Sequence, residues 1–181
     1  MAAGMIRSKG DPTPFELEIA KVFERTDLGL GHLWFNSAKE VQVAEGKTVA
    51  VIYFPMKHFS DWKKVMTKVI NELEKKLQQR TVFFIGNRTV LKKEKRGTFK
   101  PKGLQKRPRN RTLFAVYDAI LSDVVHPALI VGKKTVYAQS GSYVKVTLSK
   151  QHQNALESKL ETVSALYKKL TAKTVHFAFE S

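Results

Sequence analysis

The sequence predicts an α+β fold: two helix–hairpin–helix–strand lobes packed as one small domain, with a long basic loop between them. Three observations carry this. Four stretches place apolar residues at helical spacing, while six others alternate or run apolar over strand lengths. The order helix, hairpin, long helix, strand occurs twice, as a topological echo without a sequence repeat. Between the two occurrences, Asn87 to Arg111 has no periodicity but holds eleven basic residues and one acid, Glu94, and so ten of the chain's net +16 charges. The expected organisation is a flexible N-terminus over 1–12, a first lobe over 13–86, the basic loop over 87–111 and a second lobe over 112–181. Pattern alone leaves open whether the two sets of strands share one sheet.

Met1 to Pro12 is polar and expected to fray. Thr13, Pro14 and Glu16 form a capping box with proline at the first helical position, and Phe15, Ile19, Val22 and Phe23 give the helix one apolar face. Leu28 to Phe35, with Gly29 and Gly31, reads as a turn over packed Leu33, Trp34 and Phe35. Its Gly-Leu-Gly is no phosphate loop, because it lacks a preceding strand, a third glycine and a following capped helix. Val41 and Val43 alternate with Gln42 and Ala44, and Glu45-Gly46 turns the chain into Thr48 to Phe54. The second strand of that hairpin is apolar on both faces, hence central. Ser60 or Asp61 is expected to cap a long helix with Trp62, Val65, Met66, Val69, Ile70, Leu73 and Leu77 on one face. Thr81 to Ile85 reads as another buried strand.

After the basic stretch, Thr112 is expected to open a helix with Leu113, Val116, Tyr117, Ile120, Leu121 and Val124 inward, stopped before Pro127. Thr135 to Ala138 and Tyr143 to Leu148 flank Ser140-Gly141 as a second hairpin, with Val144, Val146 and Leu148 on one face and Tyr143, Lys145 and Thr147 on the other. Ser149 to Leu170 reads as one amphipathic helix. Thr174 to Phe179 closes the chain as a strand with Val175, Phe177 and Phe179 inward.

The basic stretch points to function. Its cations are Arg88, Lys92, Lys93, Lys95, Arg96, Lys100, Lys102, Lys106, Arg107, Arg109 and Arg111; Gly97, Pro101, Gly103 and Pro108 interrupt any helix. Like charges this dense repel, so the isolated segment is expected to be extended. A polyanion removes that repulsion, and release of its condensed counterions drives binding. Contact with RNA or DNA explains a one-signed excess better than solubility does. Lys133 and Lys134, beside the second hairpin, extend the footprint. Lys168 and Lys169 could do so too, although a charge pair on a helix is usually a solvated face.

Composition bounds the alternatives. The 181 residues suffice to bury a core, and 43% apolar residues are a globular value. The pI of about 10.0 implies a polyanionic partner, and lipid is the weakest choice because the basic run has no apolar face. The absence of cysteine excludes a disulfide framework, a thiol nucleophile and cysteine-ligated zinc. The longest apolar run, Val49 to Met56, is too short to span a membrane, and nothing near Met1 resembles a secretion signal. The chain reads as soluble and intracellular.

No catalytic constellation, metal site or cofactor site emerges, and no small-molecule substrate is implied. Asp118 and Asp123 fall about 140° apart around their helix and cannot converge on one metal or water. His32, His58, His126, His152 and His176 are scattered, and Ser140 and Ser142 lie in a turn without a nucleophile elbow. Phe99, alone among cations, could stack on a base or tuck into the domain edge. Tyr53, Phe54, Phe83 and Phe84 read as core.

The segment QKRPRNRTLFAVYDAIL, Gln105 to Leu121, followed by Asp123, Val124, Pro127, Ile130, Val131, Gly132 and Lys133, closely resembles the eukaryote-specific protein-seven family of the small ribosomal subunit. That family is distinct from the bacterial protein of the same number. The resemblance continues in Ala38-Lys39-Glu40, in ELEKK at Glu72 to Lys76, and in YKKLT at Tyr167 to Thr171 with Lys173, Val175 and Phe177. It departs in the first helix and in the Leu28 to Phe35 turn. The resemblance implies a structural, non-catalytic component of the 40S subunit. Such a component would bind small-subunit ribosomal RNA beside neighbouring ribosomal proteins and support assembly and rRNA maturation, in cytoplasmic ribosomes and in the nucleolus during assembly. Two rivals remain at this point: a free RNA-binding translation or assembly factor, which would sediment partly outside the subunit, and a small nuclease or transferase, which would turn over substrate.

Overall fold

A computed structural model describes residues 5–7, 11–25, 33–44, 47–77, 80–93, 107–139 and 141–180. The first half comprises α1 (Pro14–Arg25), β1 (Ser37–Ala44), β2 (Lys47–Pro55), α2 (Phe59–Lys76) and β3 (Thr81–Asn87). The second comprises α3 (Leu113–Val125), β4 (Ile130–Ala138), β5 (Gly141–Leu148), the single turn α4 (Gln153–Leu156), α5 (Leu160–Thr171) and β6 (Thr174–Phe179). The strands form two separate three-stranded sheets, β1-β2-β3 and β4-β5-β6. In each, the hairpin pair is antiparallel and the strand after the long helix returns parallel to the hairpin's second strand. The repeated order of elements is therefore a repeated topology.

Two apolar clusters define the layers. Ala50, Ile52, Phe54, Val82 and Phe84 face Ile19, Phe23, Trp62, Met66 and Leu73 of α1 and α2. The opposite face of the same sheet, Val49, Val51, Phe83 and Ile85, joins Leu121 and Val124 of α3, Val163 and Leu166 of α5, and Val146, Leu148 and Val175 of the second sheet. The order is thus α1/α2, first sheet, α3/α5, second sheet. Strand β2 is covered on both sides, which is why its sequence is continuously apolar. Strand β5 is covered on one side only and alternates: Val144, Val146 and Leu148 turn inward, while Lys145 pairs with Lys134 and His176 across the outer face. The same topology in different burial environments leaves no sequence repeat to detect.

The capping box is present. The Thr13 N–H donates to Glu16 Oε2 (2.9 Å), and the Glu16 N–H to Thr13 Oγ1 (3.3 Å). Glu16 is buried and its other carboxylate oxygen accepts the Ala38 N–H at 3.0 Å, so the cap also fixes α1 to β1. Within the N-terminal stretch, Met5–Arg7 are held: the Phe35 N–H donates to Met5 O and the Arg7 N–H to Phe35 O, both at 3.0 Å, and the Arg7 guanidinium lies 4.0 Å over the Trp34 ring. Leu33 and Phe35 are buried, whereas the turn glycines Gly29 and Gly31 lie outside the described residues, as do Glu45-Gly46 and Ser140. Gly141, after the second turn, has a φ of +128°, which favours glycine.

Three expectations are corrected. Neither Ser60 nor Asp61 caps α2: a 3-10 turn over Met56–His58 runs into the helix and places both residues inside its first turn, where Asp61 still complements the dipole. Leu113 is not inward but half exposed, because the first turn of α3 lies beyond the second cluster. The segment from Ser149 to Leu170 is not one helix. Ser149 caps a 3-10 turn at Lys150–His152, and a second at Glu157–Lys159 separates α4 from α5. Asn154 and Ser158 are weaker helix formers than Ala or Leu, and Leu156, between the two 3-10 turns, is buried in the second cluster. No helix among the described residues is long and apolar enough to cross a membrane.

Candidate nucleic-acid interface

The basic stretch leaves the fold at the carboxyl end of β3 and returns at the start of α3. Asp123, buried on the inner side of α3, holds the departure point. Its Oδ2 accepts the Gly86 N–H at 2.9 Å and a hydrogen bond from Arg88 Nη1, and its Oδ1 accepts one from Arg88 Nη2 at 3.2 Å. Only 14% of the Arg88 side chain and 5% of the Asp123 side chain are exposed. An ion pair this enclosed is retained by its geometry, and removing one partner strands the other. A Cβ at Gly86 would lie 2.6 Å from Met56 Sδ and 2.9 Å from Arg88 Nη1, so any larger residue there would push these two side-chain ends aside.

The return point is pinned to the departing strand. The Leu91 N–H donates to Arg111 O (3.0 Å), and Arg107 Nη1 donates to Leu91 O (2.6 Å). Thr112 caps α3 by accepting the Ala115 N–H at 3.4 Å, and its hydroxyl donates to Arg109 O at 2.7 Å. A 3-10 turn over Arg109–Arg111 completes the foot. Between the two feet opens a cleft of about 400 Å³, lined by Asn87, Arg88, Thr89, Asn110, Arg111 and the start of α3.

The cations of the sequence analysis now separate. Arg88 and Arg107 are committed to internal partners, and Lys133 Nζ lies 2.5 Å from Asp118 Oδ2. Lys92, Lys93, Arg109, Arg111 and Lys134 are exposed, without a carboxylate partner among the described residues. Lys95, Arg96, Lys100, Lys102, Lys106 and Phe99 lie outside the described residues. Lys168 and Lys169 are solvated on α5, with Lys169 Nζ donating to Gln42 O.

Asp118 and Asp123 diverge as their spacing requires, one serving β4 and the other β3. Among the described residues no group of histidine and carboxylate side chains could hold a metal. Phe54, Phe83 and Phe84 are buried core, as read, and burial pushes the Tyr53 phenol above its usual value. Burial also raises Tyr167, opposed by its hydrogen bond with Thr171. His126 is lowered by burial and by Lys63 and His152, against Asp123. Sequence reasoning missed the Arg88–Asp123 pair and the Arg107 clamp, because no local spacing marks partners 35 and 16 residues apart.

A layered α+β scaffold that holds a cation-dense segment by both feet defines a strongly basic structural protein. The chain belongs to the Ribosomal protein S7e family, which matches residues 5–179. That is a family of structural ribosomal proteins, not of enzymes. Small ribosomal subunit protein eS7 of Anopheles gambiae is 40% identical over 177 residues, covering 94% of this chain and 91% of the relative. Protein eS7A of Saccharomyces cerevisiae is 39% identical over 178 residues, with 94% and 92% covered. The eS7 of Candida albicans is 40% identical over 174 residues, with 92% of each covered.

Proposed function

We propose that the chain is a structural constituent of the small ribosomal subunit that binds ribosomal RNA through the basic loop 87–111. In this reading 13–86 and 112–181 are the scaffold, 87–111 is the contact, and Lys134 extends it. The protein supports subunit assembly and rRNA maturation, in the nucleolus during assembly and in cytoplasmic ribosomes thereafter, beside neighbouring small-subunit proteins. The observation that carries the proposal is the double anchorage. Arg88–Asp123 and Arg107–Leu91 hold both feet of the basic segment, while Arg109 and Arg111 stand exposed on the returning foot. Fixing the feet lowers the entropy lost when the cations engage phosphates.

The test is sedimentation of tagged protein through a sucrose gradient, with RNA crosslinking in the small-subunit fraction. The proposal expects the tag in the subunit peak, with crosslinks to rRNA within 87–111. A tag mostly outside that peak would favour a free RNA-binding factor instead.

A further inference from the structure

A second feature lies on the other side of α3. Its first turn, the end of the β4–β5 hairpin and the start of β6 enclose a groove of about 330 Å³, lined among others by Phe114, Lys133, Tyr137, Tyr143 and Lys173. That is the lower end of the range occupied by small ligands, about 300–1,000 Å³. Phe114 is 62% exposed and Tyr137 84% exposed, so two aromatic rings that could have joined the core stand open at one site. Lys133 Nζ and Lys173 Nζ each lie 5.3 Å from the Phe114 ring centroid, and Lys173 lies 5.4 Å from that of Tyr117. Lys133 is neutralised by Asp118 at 2.5 Å. Lys173 has no carboxylate partner among the described residues, so the groove keeps one uncompensated cation.

A ligand that satisfies this set needs a flat π-face and an anion next to it. We propose that the groove seats one unpaired nucleotide of an RNA strand, its base against Phe114 and Tyr137 and its phosphate on Lys173. The inference rests on the RNA-binding reading above and adds a site which that reading does not use. Phe114 is three residues from Arg111, within about 11 Å of chain, so a strand held at the basic foot reaches the groove. Base–aromatic stacking tolerates any sequence, because every base has a π-face. The groove would therefore select single-stranded over duplex RNA rather than one base over another.

The experiment is fluorescence anisotropy of the full chain with a labelled single-stranded RNA decamer of mixed sequence, and with the duplex of that decamer. Phe114→Ala is expected to weaken single-strand binding roughly 5- to 150-fold, the range for loss of one stacked base, with duplex binding and Tm unchanged. Phe114→Trp should retain single-strand binding. Lys173→Gln should flatten the single-strand salt slope by about 0.7. The inference is overturned if Phe114→Ala leaves single-strand affinity intact while replacing 94–106 by a Gly-Ser linker abolishes binding to an rRNA fragment; the RNA-binding reading then stands alone. It is also overturned if Phe114→Ala abolishes capture of an oligoglutamate peptide but not of RNA, which would make the groove a protein site. Failure of the wild-type chain to bind any RNA would remove both readings together.

Discussion

At the scale of single residues, Asp123 decides where the basic segment begins. It neutralises Arg88 and caps the end of β3 through Gly86, in a place almost closed to solvent. Asp123→Ala leaves a buried guanidinium unpaired, and urea denaturation should show a loss of about 3–5 kcal/mol. Asp123→Leu with Arg88→Met, which removes both charges, should recover only part of it, because the buried Gly86 N–H still loses its acceptor. His126 gives a pH prediction. Its buried Nδ1 has no hydrogen-bond partner among the described residues, and burial and Lys63 lower its pKa from the ordinary 6.5. The folded protein therefore binds this proton more weakly than the unfolded chain. The stability is complete above about 6.5 and falls as pH drops through the depressed value. Comparing Tm at pH 7 and pH 5, His126→Gln should lose less on acidification than the wild type; an equal loss would remove His126 as the cause. The divergence of Asp118 and Asp123 was legible from the 100° step of a helix. The role of Arg88 was not, since a pair across 35 residues becomes visible only once α3 lies on β3.

At the scale of elements, local chemistry was readable where it was self-contained. Thr13 and Glu16 cap each other three residues apart, and Thr112 caps α3 within one turn. The reading failed where tertiary contacts set the boundary, as in the uncapped entry to α2 and the broken path from Ser149 to α5. Glu16 belongs to both kinds: its cap was visible, but its bond to Ala38, 22 residues away, was not. Glu16→Ala removes the cap interaction and orphans the buried Ala38 N–H, so a loss of about 1–3 kcal/mol is expected by urea denaturation, more than an exposed cap alone would give. In the basic element, Arg107 and Arg109 should behave differently although both are arginines of one motif. Arg107→Ala should reduce RNA affinity through loss of the clamp on Leu91 while leaving the salt slope unchanged. Arg109→Ala should flatten the slope by about 0.7–0.9, one phosphate contact. Filter binding across a salt series separates the two.

At the scale of the molecule, the chain builds one topology twice and then uses the copies differently. The first sheet is buried on both faces and forms the centre of the protein, whereas the second is buried on one face and presents Lys134, Lys145 and His176 on the other. The doubled order of elements was legible because each lobe carries its own hydrophobic periods. The layering was not, because a strand apolar on both faces says that it is covered without saying by what. The junction where the chain passes from one copy to the other is where the charge is concentrated, so core packing and polyanion contact occupy different residues. The direct test is the log–log salt dependence of binding to a structured small-subunit rRNA fragment, for the full chain and for a chain with 94–106 replaced by a Gly-Ser linker. With about six phosphates neutralised, the full chain should give a slope of roughly −4 to −5, and the replaced chain, at unchanged Tm, a slope at least two to three units flatter. Equal slopes for the two chains would contradict the account and move the RNA contact to the globular faces.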